Sequence, residues 1–143
     1  MKLATVGYEN DTQKAVIDRL KAADVKIVID VRAVASSRKA GFSKTILAAS
    51  LDEAGIDYLH LRGLGTPKPG RQAARAGRHA EMARIFEAHR AEPAPQLELL
   101  RAGEIASARK AALLCYEADP AHCHRSIVSQ RLHETLGLEI EDL

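Results

Sequence analysis

Ala111-Ala112-Leu113-Leu114-Cys115-Tyr116-Glu117-Ala118-Asp119-Pro120-Ala121-His122-Cys123-His124-Arg125-Ser126 decides how this chain is read. Ala111 to Tyr116 is a short apolar run of the kind that forms a buried strand, and Asp119-Pro120 reads as a turn. A helix is expected from about His122 to Leu136, with Gly137 as its terminator. A buried strand feeding a helix through a polar loop is a repeating unit of parallel α/β sheets. The same window holds both cysteines of the protein, with two histidines flanking one thiol, a carboxylate and an arginine. It marks a site as well as a fold.

Working outward, the chain alternates strands and helices. Lys2 to Val6 is a β-run closed by Gly7, and Asn10 or Asp11 is expected to cap a helix running to about Ala23 on the stripe Val16, Ile17 and Leu20. Lys26 to Val31 is nearly all β-branched, as a strand covered on both faces should be. Ser43 reads as the cap of a helix stopping at Gly55, and Ile56 to Leu61 as a third strand. Gly63 to Gly70, with Pro67 and Pro69, is a loop by composition. Arg71 to Arg90 then suits one helix, weakened near its start by Gly77; Pro95 opens another reaching about Ala108, and Leu138 to Ile140 ends the chain as a strand. The expectation is one domain over residues 1–143, a three-layer α/β sandwich with a mostly parallel sheet and helices on both faces.

Composition narrows the function classes. The 143 residues are 46% hydrophobic and 28% charged, ordinary values for a globular chain. A net charge of +2 gives no molecule-wide field for nucleic acid, although Arg32, Arg38, Lys39 and Lys44 cluster in sequence, as do Lys68, Arg71, Arg75 and Arg78. Aromatic residues make up 3% and Trp is absent, which argues against a stacking platform for single strands. No apolar run has membrane-spanning length and no secretory signal opens the chain, so no membrane partner and a cytoplasmic setting with reduced thiols are expected.

In a parallel sheet, ligands gather beyond the carboxyl ends of the strands. Tyr8 and Glu9 follow the first strand, Arg32 to Arg38 the second, Arg62 to Thr66 the third, and the Cys115–Arg125 loop the fourth. These four polar loops are expected to converge on one rim.

Several blocks together resemble a known family. Thr5-Val6-Gly7-Tyr8, Ile29-Asp30-Val31-Arg32, Ser37-Arg38 before Gly41-Phe42, Tyr58-Leu59-His60-Leu61 with Leu64-Gly65, and Leu114-Cys115-Tyr116-Glu117 leading to Cys123-His124-Arg125 are similar to the signature blocks of domain-of-unknown-function family 488. They stand in the family's order. Many members carry a proline before the Ser-Arg pair, where this chain has Val34-Ala35-Ser36. The resemblance implies an α/β sandwich with a shared site and supplies no reaction. Rhodanese domains offer a thinner, fold-level likeness, since a strand there also ends in Asp-x-Arg, but the thiol-to-arginine spacing differs.

The residues support several chemistries. Cys123, expected at a helix start beside His122, His124 and Arg125, has surroundings that favour a thiolate, whereas Cys115 on an apolar strand reads as packing or as a wall of the site. For a metal, Cys115 would need one or two of Cys123, His122 and His124 plus Glu117, because adjacent residues at a helix start diverge by about 100°. No cofactor is assigned and no metal ligand is named; zinc is the ion these donors would suit. For an anion, Arg32, Arg38 and Arg125 supply donor forks, with Tyr8, Glu9 and Cys115 lining the pocket. Arg32 has a structural alternative, an ion pair with Asp30 or Glu117.

The functional expectation is an enzyme acting on a phosphate-bearing ligand, nucleotide or nucleic acid, in a cleft at the carboxyl edge. Glu117 or His124 would serve as acid or base, and Cys123 as nucleophile in a covalent reaction. Two alternatives stay open: a noncatalytic nucleic-acid or partner-binding module, and a thiol-redox, sulfur-transfer or zinc-binding protein. Substrate, reaction and oligomeric state are not read from the sequence.

Overall fold

Apolar strands that lie in the middle of a sheet must be covered on both faces, and this requirement organises the fold. The computed structural model describes all residues, Met1–Leu143. Its strands are β1 (Lys2–Gly7), β2 (Ile27–Asp30), β3 (Asp57–His60), β4 (Ala111–Cys115) and β5 (Glu139–Asp142). They form one sheet in the order β3-β2-β4-β1-β5, and every pairing is parallel. β2 and β4 are buried along their whole length, whereas the edge strands β3 and β5 are half-open.

Alternation along the strands divides the core in two. Leu3, Ile29, Leu113 and Cys115 face one side, with Phe86, Ala102, Val128 and Leu132 of helices α4 (His79–Arg90), α5 (Pro93–Ala108) and α6 (Arg125–Leu136). Ala4, Val6, Val28 and Leu114 face the other, under Val16 and Leu20 of α1 (Gln13–Ala22) and Leu47 and Leu51 of α2 (Lys44–Glu53). The result is the three-layer sandwich expected from the sequence. Truncating Leu113, with 0% of its surface exposed, to alanine should cost about 2–5 kcal/mol.

The boundaries differ from the sequence reading in instructive places. Thr12, rather than Asn10 or Asp11, caps α1, its hydroxyl accepting from the Ala15 amide at 3.1 Å. Ser43 occupies the cap position of α2, but its hydroxyl bonds to the Ser37 backbone instead of the helix. The expected Gly63–Gly70 loop is in fact a 3-10 turn (Arg62–Leu64) followed by α3 (Lys68–Arg75), because Pro69 falls in the first turn, where a missing N–H costs nothing. The single helix expected over Arg71–Arg90 is divided: Gly77 at φ +80° lets the chain turn between α3 and α4. Pro93 rather than Pro95 opens α5, for the same reason as Pro69.

The most consequential correction lies after β4. A 3-10 turn (Pro120–His122) comes first, Cys123 is extended (φ −125°, ψ 143°), and α6 starts at Arg125 with His124 as its cap residue. Cys123 therefore precedes the helix instead of opening it. The final strand is displaced to Glu139–Asp142, where it pairs with Lys2–Thr5 of β1.

Candidate active site

The carboxyl edge is built on two fixed points. The first is Asp30, at the end of β2 and wholly buried. Its carboxylate accepts from Arg32 Nε at 2.9 Å and Nη2 at 2.7 Å, from the Arg32 amide at 3.0 Å, and from the Tyr58 hydroxyl. Arg32 Nη1 donates to the Tyr8 hydroxyl at 2.9 Å and to the Phe42 carbonyl at 2.7 Å. Burial works against the Arg32 charge, but Asp30 more than compensates and raises its pKa. Tyr8 stacks on Phe42 with centroids 4.2 Å apart. Arg32 and Tyr8 thus sit at the expected edge, but their polar groups are turned inward and tied to one another.

The second fixed point is the close approach of β1 to the loop after β4. A Cβ on Gly7 would lie 1.8 Å from the Glu117 carbonyl oxygen, so only glycine lets the strands meet there. The Tyr8 and Glu9 amides both donate to the Tyr116 carbonyl, and the Glu9 carboxylate accepts from the Ala118 amide at 3.2 Å. Glu9 therefore helps to stitch the rim. Arg125, 1% exposed, donates to the Glu117 and Ala118 carbonyls from the other side. It makes no ion pair with a carboxylate, and its Nε is buried without a partner.

Between these points lie Cys115, Cys123 and His124, all buried, with one ligating atom from each inside a sphere of contacts no longer than 4.8 Å. His124 Nδ1 is 3.7 Å from Cys115 Sγ and 3.8 Å from Cys123 Sγ, and its Nε2 donates to the Val31 carbonyl at 2.7 Å. Glu117 Oε2 stands 3.5 Å from Cys115 Sγ. Both cysteines are free thiols.

The electrostatics of this cluster follow from its neighbours. Burial opposes ionisation of Cys123, but the Cys115 thiol, His124 and Arg125 together bring its pKa well below the usual thiol value. The hydrogen bond to Cys123, burial and the Glu117 charge push Cys115 the other way. Burial and the Cys123 charge raise Glu117. His124 is raised despite its burial, chiefly by the Cys123 charge beside it.

Cys115, Glu117, Cys123, His124 and Arg125 are brought together. Arg32 and Tyr8 form the neighbouring Asp30 group, and Glu9 bridges the β1 and β4 loops. Arg38 is exposed on the connection after β2 and pairs with no carboxylate. The sequence reading left Asp30 as a mere partner and did not single out Tyr58 or the Val31 carbonyl. An acid ending an all-apolar strand was the available signal for Asp30. Tyr58 and Val31 stand within the family-like blocks, but nothing local marks what they bond to.

Charge is distributed unevenly around this site. No Asp or Glu lies between Asp30 and Asp52 or between Asp57 and Glu81, yet these spans carry Arg38, Lys39, Lys44, Arg62, Lys68, Arg71, Arg75 and Arg78 besides the buried Arg32. Both are connections leaving carboxyl strand ends. α3 is fixed at one end where Gly65 packs on Ala33 after β2. Beyond its other end, His79 stacks on His122 of the loop after β4, with centroids 4.2 Å apart. The basic helix therefore lies along the rim.

The chain matches the family described as "Domain of unknown function DUF488" over residues 12–132. It belongs to that family. The matched span runs from the cap of α1 through Leu132 of α6 and includes Asp30, Arg32, Glu117 and the whole Cys–His cluster of this DUF488 protein. No curated protein and no solved structure matches the chain. No helix is long and apolar enough to cross a membrane.

Proposed function

We propose that the protein is an enzyme that acts on a phosphate-bearing polyanion, nucleic acid foremost, at the carboxyl edge of its sheet. The observation that carries this reading is the segregation of charge: two acid-free basic connections border the Cys115–Cys123–His124 cluster. Clustered cations draw in a polyanion and release its counterions, whatever the net charge of the whole molecule. The phosphate contacts fall to exposed residues such as Arg38, Lys68 and Arg75 rather than to Arg32 and Arg125, whose donors are held by Asp30 and by the Glu117 and Ala118 carbonyls. Glu117, half-buried over Cys115 Sγ, is placed to carry a proton.

One observation favours a noncatalytic nucleic-acid module instead: Cys123 and Cys115 are only 1% and 4% exposed, so a substrate reaches them only if the rim opens. Fluorescence anisotropy with labelled DNA, RNA and polyphosphate over a salt series separates the readings. Binding should weaken steeply with salt, by a log–log slope of about −0.9 per duplex phosphate neutralised, and Arg38→Ala with Arg75→Ala should flatten that slope. Products found by mass spectrometry with wild type and lost in Glu117→Gln support the enzyme. Binding without turnover of any strand supports the module. No binding at low salt overturns both.

A further inference from the structure

We propose that Cys115, Cys123 and His124 hold a zinc ion, with Glu117, which stands beside Cys115 outside this three-residue group, turning in to close the fourth position from the solvent side. Zinc binds sulfur at about 2.3 Å and imidazole nitrogen at about 2.0–2.1 Å, so a tetrahedral shell needs S···N edges of about 3.6 Å and S···O edges of about 3.5 Å. The cluster supplies S···N separations of 3.7 and 3.8 Å and an S···O separation of 3.5 Å. Cys115 Sγ also lies 3.9 Å from His124 Nε2, so closing the shell asks the sulfur to move toward the Nδ1 side.

The imidazole is already oriented for this task. Its Nε2–H is committed to the Val31 carbonyl at 2.7 Å, which fixes the tautomer and leaves Nδ1 bare toward the two sulfurs. A carbonyl partner on the far nitrogen is the usual support of a zinc-binding histidine. Two further ligands come from opposite ends of one loop, β4 giving Cys115 and the extended residue before α6 giving Cys123. That extended conformation removes the divergence expected had Cys123 and His124 both lain within the helix.

Charge accounts for the buried arginine. Two thiolates, a neutral imidazole and a carboxylate around one divalent cation leave a net charge of −1. Arg125, buried without any carboxylate partner, supplies the compensating positive charge. The two thiol protons leave for solvent when the ion enters. Glu117 is the exchangeable ligand: it is the one half-buried member of the set, and three protein ligands with a replaceable fourth make the open kind of zinc site.

This inference does not rest on polyanion binding, and the two fail separately: a zinc-loaded chain that ignores nucleic acid refutes only the functional reading. The experiment is elemental analysis of the purified full chain, followed by titration of the chelator-stripped chain with cobalt(II). One zinc per chain and an intense tetrahedral cobalt spectrum with a thiolate charge-transfer band are expected, and zinc should mask both thiols from a thiol reagent. Glu117→Gln should keep a tetrahedral site of weaker affinity, with water taking the replaceable position, whereas Cys115→Ser, Cys123→Ser and His124→Ala should each abolish the tetrahedral spectrum. Should a serine variant fail to fold, the wild-type titration decides alone. A folded, reduced wild type that takes up neither ion, or that gives only an octahedral cobalt spectrum, overturns the proposal.

Discussion

His124 Nε2 donates to the carbonyl oxygen of Val31 at 2.7 Å, across 93 residues of chain. Val31 directly follows β2, and His124 stands just ahead of α6, so one bond ties an interior strand to the loop that carries both thiols. The same bond turns Nδ1 toward the sulfurs. Position and tautomer are set together.

Loss of that bond should be measurable as stability. His124→Ala leaves a buried carbonyl without a donor, which should cost about 1–3 kcal/mol, while His124→Gln can still place an amide N–H there and should recover much of the loss. Urea unfolding of chelator-treated protein checks this. Equal destabilisation by both variants would show that the Val31 contact contributes little.

Asp30 and Arg32 form a second, separable test. Their side chains are 0% and 5% exposed, so removing one partner strands a buried charge. Asp30→Asn or Arg32→Ala should each cost about 3–5 kcal/mol, and a double replacement by apolar residues should cost much less than the sum. A double-mutant cycle by urea denaturation measures the coupling. Additive losses would mean that the pair is not the structural post described above.

Gly7→Ala should act on the loop at a distance. The added methyl would meet the Glu117 carbonyl at 1.8 Å, and that atom is backbone, so β1 or the loop has to move. A loss of about 3 kcal/mol is expected, at the upper end for overpacking, with faster modification of both thiols by Ellman's reagent. Wild-type stability in this variant would mean that the approach of the two segments is far looser than described.

High pH should weaken the fold. Burial and the hydrogen bond to Asp30 raise the Tyr58 pKa, and burial raises Tyr8 although Arg32 opposes it. The folded state therefore holds both phenol protons more tightly than the unfolded chain does. This contribution is fully present below the unfolded pKa of about 10 and is lost as pH rises through the folded values. Tyrosinate absorbance and chemical denaturation from neutral to strongly alkaline pH should show two late-titrating tyrosines and a falling midpoint. Tyr8 and Tyr58 titrating near the free value, with the fold intact, would contradict it.

Much of this protein is written locally. The β-branched run Ile27–Ile29 and the apolar run Ala111–Leu114 read as strands covered on both faces, and Gly55 and Gly137 ended helices where the sequence placed them, because a left-handed residue is a backbone requirement. The first-turn prolines Pro69 and Pro93 were equally local, but Pro69 was submerged among glycines that resemble loop. Cys115, Glu117, Cys123, His124 and Arg125 could be gathered from the sequence because they share one short connection.

What the sequence by itself determined is therefore the strand–helix alternation, the parallel sheet and the edge at which chemistry-bearing residues collect. Only the tertiary structure decided what those residues face. Arg32 turns inward because burial leaves its charge no solvent and Asp30 is the acid within reach. Cys123 meets His124 on the Cys115 side because it stays extended until α6 begins, and His124 is aimed by a carbonyl 93 residues away. Periodicity and propensity are properties of neighbours along the chain, whereas the direction of a buried polar side chain is set by whichever partner from another element can satisfy it.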